Sequence, residues 1–214
     1  MRGMFYRAID WGDYAGSNPL RKVKFYREQP DVKPLTAGQV GQIVEVAQTI
    51  SAVGKSPLQR TFADLVILAL NTGLRKSELL NLKWKDIHAD GREIVIHGKG
   101  DKRRTVPLND AARAVIAKQP RGTDFIFDIP NRGQSGLFRR TIYQIKKRTG
   151  IDFHFHLLRH TFATKLLESG VDIITISEIL GHSRAMVTLA YSHTDPQRKQ
   201  RAVELMDWAS VPKK

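Results

Sequence analysis

The chain has 214 residues, with 35 Lys and Arg against 21 Asp and Glu, a formal net charge of +14 and a pI near 10.2. A hydrophobic content of 41% fits a globular protein with a real core, and so large a basic excess favours a polyanion partner, nucleic acid before membrane. No run of 18 apolar residues predicts a spanning helix, the N-terminus Met-Arg-Gly-Met-Phe-Tyr-Arg lacks the apolar core of a signal peptide, and the absence of cysteine excludes disulfides and Cys-based zinc sites.

Residues 2–11 read as a short helix that ends at Gly12, and Asn18-Pro19 then breaks the pattern. Residues 13–34 read as an extended basic segment holding Arg21, Lys22, Lys24 and Arg27. Thr36-Ala-Gly-Gln39 is a capping box, which predicts a helix to about Thr49 with Val40, Ile43, Val44 and Ala47 on its apolar face. Ser56-Pro57 opens the next helix, with Pro at its first position and a wide apolar face through Phe62, Leu65, Val66, Ala69 and Leu70 as far as Gly73. Gly54-Lys55-Ser56 is not a nucleotide loop: Thr49 stands where the first Gly is needed, and no strand precedes it.

Arg75 opens a short helix that also holds Glu78 and Leu79. A helix N-terminus carries partial positive charge, so a cation is locally unfavourable there unless something else, such as a bound phosphate, gains from it. Glu78 is spaced to accept from that guanidinium and fix its orientation. Trp84 and Ile87 read as core. Residues 93–97 and 104–108 read as strands joined by the turn Gly98-Lys-Gly-Asp-Lys102, with Lys102, Arg103 and Arg104 placed to track a nucleic-acid backbone. Asp110 is read as the cap of a helix over 111–118, and 124–127 as a buried strand or extended turn. Ser135 is read as the cap of a helix over 136–148, apolar through Leu137, Ile142 and Ile145. Its basic face of Arg139, Arg140, Lys146, Lys147 and Arg148 is either solvated or turned to nucleic acid.

The densest chemistry lies in residues 156–191, which hold His156, Arg159, His160, His182 and Tyr191. His156 and His160 have the i, i+4 spacing of a zinc pair, but Leu157 stands where a zinc protease needs Glu, and Arg159 is a poor neighbour for a cation. A positive site with a phenol suits a phosphate, since Arg holds two phosphate oxygens at once. His154 reads as structural or incidental. His160 points about 100° around the helix from Arg159 and is expected to be buried and hydrogen-bonded. Gly170 and Gly181 are read as helix stops and Asp172 as the cap of the helix carrying Ile173, Ile176, Ile179 and Leu180. Asp195-Pro196 begins a last helix to about Trp208, with a stripe of Ala202, Leu205 and Met206 that packs on its own domain or on a neighbour.

His156-x-x-Arg159, Leu180-Gly-His182 and the nine residues from His182 to Tyr191 resemble the C-terminal signature of tyrosine recombinases, the phage-integrase family. Upstream, Thr72-Gly-Leu-Arg75-Lys-Ser-Glu78 resembles the box of the first catalytic Arg, and Gly98-Lys99-Gly100 the catalytic-Lys turn. The resemblance implies an α+β fold, mainly helical with a small antiparallel sheet. Residues 1–16 would be a remnant of the last helix of an N-terminal core-binding domain, 17–34 a basic linker, 35–195 the catalytic domain and 196–214 a tail helix. It also implies the roles. Tyr191 is the nucleophile, Arg75 and Arg159 hold the non-bridging oxygens, Lys99 protonates the leaving 5′ oxygen, His156 assists proton transfer, His182 bonds a phosphate oxygen and Glu78 supports. No metal or other cofactor is expected. The expected partner is double-stranded DNA, with a tetramer on DNA through the tail, a monomer in free solution left open, and a cytoplasmic, nucleoid-associated setting in a bacterium or phage infection. Tyr143 and the N-terminal tyrosines lack flanking matches and are not candidate nucleophiles.

Two further readings fit the same residues. One is relaxation of a single duplex in the manner of a type IB topoisomerase. The other is a basic DNA-binding module with a silent site.

Overall fold

The computed structural model describes residues 2–22, 33–98, 103–130, 136–181, 200 and 203–204. The chain divides into two compact units, residues 1–32 and 33–214. In the first, α1 (Arg2–Asp10) stops at Gly12, whose φ of 80° continues the chain in a left-handed turn. Phe5 packs edge-on against Tyr14, with ring centroids 5.7 Å apart, while Met4 and Trp11 stay exposed.

The second unit is built around one buried helix. Thr36 starts α2 (Ala37–Val53) with both halves of the capping box, as its sequence predicts. Ser56 does the same for α3 (Pro57–Arg60). The single helix expected from Pro57 to Gly73 is in fact two, because the chain breaks at Thr61 before α4 (Phe62–Thr72) begins. The break has a tertiary cause as well as a local one. The Thr61 hydroxyl donates to the Pro57 carbonyl at 2.9 Å, and the Ala63 N–H donates across to the Ser51 hydroxyl at 3.0 Å. All of α4 but Ile67 is buried, packed by α2 on one side and by later helices on the others. Its polar residues are paired: Asn71 accepts from Asn109 at 2.8 Å, and Asp64 accepts from Gln119 at 2.7 Å and pairs with Lys118.

After α5 (Lys76–Leu80), a single 3-10 turn (Trp84–Asp86) leads to the two-stranded antiparallel sheet, β1 (Glu93–His97) and β2 (Arg103–Pro107). The second strand starts one residue earlier than expected. Ile94 faces Val106 and Ile96 faces Arg104 across the pair. Trp84 and Ile87 are partly buried against the core, and the extended segment at 124–127 pairs with Leu82–Trp84 through Ile126 N–H to Leu82 O at 2.9 Å and Trp84 N–H to Asp124 O at 3.0 Å.

The cap of α6 (Asp110–Ala117) is Asn109, whose side chain accepts from the Ala112 N–H; Asp110 is the first helical residue and pairs with Arg113 instead. This corrects the sequence reading by one position, for both residues are good caps and only the backbone decides between them. α7 (Gly136–Thr149) turns Phe138, Thr141 and Ile145 into the core, with Leu137 and Ile142 partly buried beside them. Ser135, its expected cap, lies outside the described residues. Phe62, Phe138, Phe153 and Phe155 form a continuous aromatic cluster where α4, α7 and the start of α8 (Phe155–Glu168) meet. The Leu35 N–H donates to the Thr161 hydroxyl on α8 at 3.0 Å, which fastens the start of the unit to its centre. Next, α9 (Ile173–Leu180) is capped by Asp172 and ends at Gly181. Beyond it, Val203 is fully buried in the core of the same chain, so this part of the tail packs on its own unit. Among the described residues no helix is long and apolar enough to cross a membrane.

Candidate active site: arginines at two helix ends

Helices α4 and α9 end close together, and the geometry of both ends depends on glycine. Gly73 has φ 63°, and a Cβ there would lie 2.6 Å from both Leu180 Cδ2 and Phe162 Cδ1. Gly181 has φ 65°, and its Cβ would lie 2.8 Å from Arg104 Cδ. At each position a left-handed turn coincides with a close approach, so no other side chain fits without displacement.

The last carbonyls of a helix lack partners within it and carry partial negative charge. Here they are taken by arginines. Arg159, buried on α8, donates from Nη1 to the Gly73 carbonyl at 2.8 Å and from Nη2 to the Leu180 carbonyl at 2.6 Å. Arg75 stands at the N-cap of α5 and donates from Nη2 to the Gly181 carbonyl at 3.4 Å. Arg104, reaching in from β2, donates from Nε to the Ile179 carbonyl at 2.9 Å.

Glu78 joins two of these arginines. Its Oε1 accepts from Arg75 Nη1 at 3.0 Å and from Arg104 Nη1 at 2.9 Å. Its Oε2 accepts from the Arg75 backbone N–H at 2.8 Å and from Arg104 Nη2 at 2.7 Å. Burial acts to raise the pKa of this carboxyl, but the Arg104 hydrogen bonds, the Arg75 backbone N–H, the Arg104 charge and the Arg75 side-chain hydrogen bond prevail and hold it below its ordinary value. Arg159 shifts in the direction expected of a desolvated cation. Burial, then the neighbouring charge of Arg75, lowers it to about 10, so it remains protonated at neutral pH.

His156 lies one turn before Arg159 on α8 and keeps an exposed surface. Partial desolvation, then the charges of Arg159, His154, Arg75 and His160, lower its pKa and favour the neutral imidazole. His154 is structural: its Nδ1 accepts from the Leu157 N–H at 3.1 Å, which makes it the N-cap of α8, and its ring stacks on His156 at 6.5 Å with 17° between planes. His160 is exposed, against the expectation of burial. The i, i+4 relation puts it on the same outer face as His156, while Leu158, Arg159 and Phe162 take the inner one.

The fold thus brings together Arg75, Glu78, His156 and Arg159 from two helices more than seventy residues apart. Lys99, Lys102, His182 and Tyr191 lie outside the described residues. Arg139 and Arg140 are exposed on α7, and Arg103 is exposed at the start of β2. Arg104 differs from its expected role as a backbone-tracking cation, because its side chain is only 11% exposed and its guanidinium is committed to Glu78 and Ile179. Strand alternation carried that signal: Arg104, Val106 and Leu108 share a face, and the last two are core residues. An open groove of about 460 Å³, lined by Lys33, Leu35, Gln39, Thr149 and Asp152 among others, contains none of the arginines. Its mixed, mainly polar lining gives no convergent chemistry, whereas the arginine cluster does.

A cluster of buried and half-buried guanidiniums beside a neutral imidazole is suited to a phosphoryl group with proton transfer close by. Comparison with known proteins agrees. The phage integrase family profile matches residues 33–198. The integrase of Escherichia phage P2 is 35% identical over 206 residues, covering 95% of this chain and 56% of that one. The tyrosine recombinase XerC of Xanthomonas axonopodis pv. citri (strain 306) is 34% identical over 187 residues, covering 83% and 59%. Among solved structures, the integrase from mycobacterium phage Brujita superposes with a TM-score of 0.65 at 27% identity, covering 97% of this chain and 69% of that one. The chain spans a little over half the length of the curated relatives it matches. With the profile covering most of the chain, and with both relatives above three-tenths identity, this protein belongs to the phage integrase family.

Proposed function

We propose that this chain is the catalytic part of a site-specific DNA recombinase that cuts and rejoins DNA through a 3′-phosphotyrosyl intermediate. The observation that carries the reading is the pairing of Arg75 and Arg159 around the end of α9, with Glu78 orienting the first and His156 beside the second. A phosphodiester resists cleavage because its charge repels a nucleophile and because an alkoxide must leave. Two guanidiniums fixed before the reaction meet the first difficulty, as they stabilise charge on the non-bridging oxygens without reorganising.

In this reading Tyr191 attacks phosphorus and its oxygen becomes bonded there, while the bond to the 5′ oxygen breaks and Lys99 supplies that oxygen with a proton. An unperturbed phenol has a pKa of about 10, so the tyrosine needs a proton acceptor. A neutral His156 meets this need, and the lowered pKa of that residue supports the role. His182, next in the chain after Gly181, donates to a phosphate oxygen. The covalent link conserves the bond energy, and a 5′-hydroxyl reverses the step. Lys102, Arg103, Arg139 and Arg140 contact the backbone of a DNA duplex, and four subunits assemble on it through the tail, 196–214, apart from Val203, which packs on its own unit. The net charge of +14 supports a polyanionic partner.

The test requires no known target site. The protein is incubated with supercoiled plasmid, quenched with denaturant and examined for protein covalently joined to nicked DNA, beside Tyr191→Phe. An adduct with the first and none with the second supports the reading. An adduct that survives the substitution rejects the nucleophile, and exchange between two duplexes separates recombination from relaxation of one.

A further inference from the structure

Building on the phosphoryl-transfer reading above, we propose that Arg104 is a positioning residue for the anion site: it saturates Glu78 from behind, so that Glu78 orients the Arg75 guanidinium without neutralising it. Acceptor capacity limits what Glu78 can hold. A carboxylate offers about four lone-pair sites, and Glu78 receives four N–H donors, two from Arg104 and two from Arg75. Only one of the two Arg75 bonds comes from its guanidinium; the other comes from its backbone. Arg104 therefore occupies the sites that would otherwise allow a two-point pair between Glu78 and the Arg75 fork.

Charge leads to the same conclusion. Arg75, Arg104 and Arg159 with Glu78 leave a net of two positive charges at the helix ends. Without Arg104 the Arg75–Glu78 pair is neutral and one charge remains to meet a phosphate. Exposure gives the two arginines different roles. The Arg75 side chain is 44% exposed and available to a ligand, while Arg104 is 11% exposed and faces inward. Arg104 also holds α9 through the Ile179 carbonyl, and it passes so close over Gly181 that a Cβ there would collide with it. It belongs to β2, the strand that follows the turn containing Lys99 in sequence, so the hairpin and the arginine pair share one anchor.

The experiment compares Arg104→Met, Arg104→Lys, Glu78→Gln and the double variant Glu78→Gln/Arg104→Met in the full chain. The rate of covalent adduct on supercoiled plasmid and the affinity for duplex DNA at fixed salt are measured separately. Arg104→Met is expected to slow adduct formation roughly tenfold to a hundredfold, the range of lost charged hydrogen bonds, while affinity for duplex DNA, which is spread over many phosphate contacts, falls far less. Arg104→Lys is expected to restore little, since a point charge cannot bridge both carboxylate oxygens and the Ile179 carbonyl, and it stands in where Arg104→Met does not fold. The double variant is expected to lose less than the product of the single losses. An unchanged rate in Arg104→Met, additive losses, or a rate that falls only in step with duplex affinity overturns the proposal. Carbon NMR of the Glu78 carboxyl decides it independently of any reaction on DNA. Its titration moves up towards the ordinary value in Arg104→Met if Arg104 holds it, and an unmoved titration overturns the proposal even where the wild type forms adduct. A wild type that forms no adduct counts against the recombinase reading alone, and the Glu78 titration still decides the role of Arg104.

Discussion

Arg104 and Glu78 meet at two points, Nη1 to Oε1 at 2.9 Å and Nη2 to Oε2 at 2.7 Å, across 26 residues of sequence. Each guanidinium nitrogen faces its own oxygen, which is the geometry in which Arg binds a carboxylate most strongly. The pair lies behind Arg75 and ties a strand, the start of one helix and the end of another into one polar knot.

Glu78→Gln should change how stability depends on pH. The folded carboxyl lies below its ordinary 4.5, so the linked stability is fully present above that value and is lost as the pH falls through the lower folded value. Thermal unfolding at stepped pH should show a steep loss below the ordinary carboxyl range in the wild type and a shallower one in Glu78→Gln. At neutral pH the variant should be less stable by about 1–3 kcal/mol, the cost of leaving hydrogen-bonded charges unpaired. Parallel curves would show that Glu78 does not contribute to the acid transition.

His156 should titrate below the ordinary imidazole value of 6.5, because desolvation and then the Arg159 charge disfavour its protonated form. Adduct formation that uses a neutral imidazole is then present above that lowered value and declines as the pH falls through it. In Arg75→Lys the neighbouring charge persists and the inflection should remain low. Proton NMR of the imidazole, read against the rate profile, checks both statements, and an inflection above the ordinary value would remove His156 from the proton path.

Arg139 and Arg140 stand exposed on α7. Replacing both with Ala should leave the melting temperature unchanged. If both contact phosphates, the slope of log affinity against log salt should flatten by about 2, since each contact releases about 0.9 of a counterion. An unchanged slope would assign that face to solvent.

Gly73→Ala should be among the most damaging single-methyl changes in the chain. The left-handed backbone alone costs about 1–2 kcal/mol for a residue with a Cβ, and the methyl meets two packed core side chains besides. Chemical denaturation should show a loss larger than the backbone cost alone. Gly181→Ala meets the flexible Arg104 stem instead, so its loss of stability should be smaller and its loss of adduct formation comparatively large.

Features governed by local chemistry were legible in the sequence. The capping box at Thr36, the helix start at Ser56-Pro57, the stops at Gly73 and Gly181, and the relation of Glu78 to Arg75 each rest on residues within four positions of one another. Features that depend on distant partners were not. The break at Thr61 needs Ser51, the inward turn of Arg104 needs Glu78 and α9, and the choice of Asn109 over Asp110 as cap is joined to the Asn109 hydrogen bond with Asn71 on α4. His160 is instructive for a different reason. Its angular distance from Arg159 follows from helix geometry, but such an angle leads to solvent as readily as to the core, and its neighbour at i−4 pointed to solvent.

The carbonyls of Gly73, Ile179, Leu180 and Gly181 are closed by side chains that the proposed active site also claims. Occupancy of the site and order at the two helix ends are therefore two readings of one equilibrium. An anion that binds this arrangement and not the unfolded chain stabilises the fold in proportion to the logarithm of its concentration once the site is saturated. By reciprocity, any change that loosens the end of α9 weakens the hold on the anion. The DNA phosphate at which the chain would act is, in this sense, also the last structural ligand of the domain.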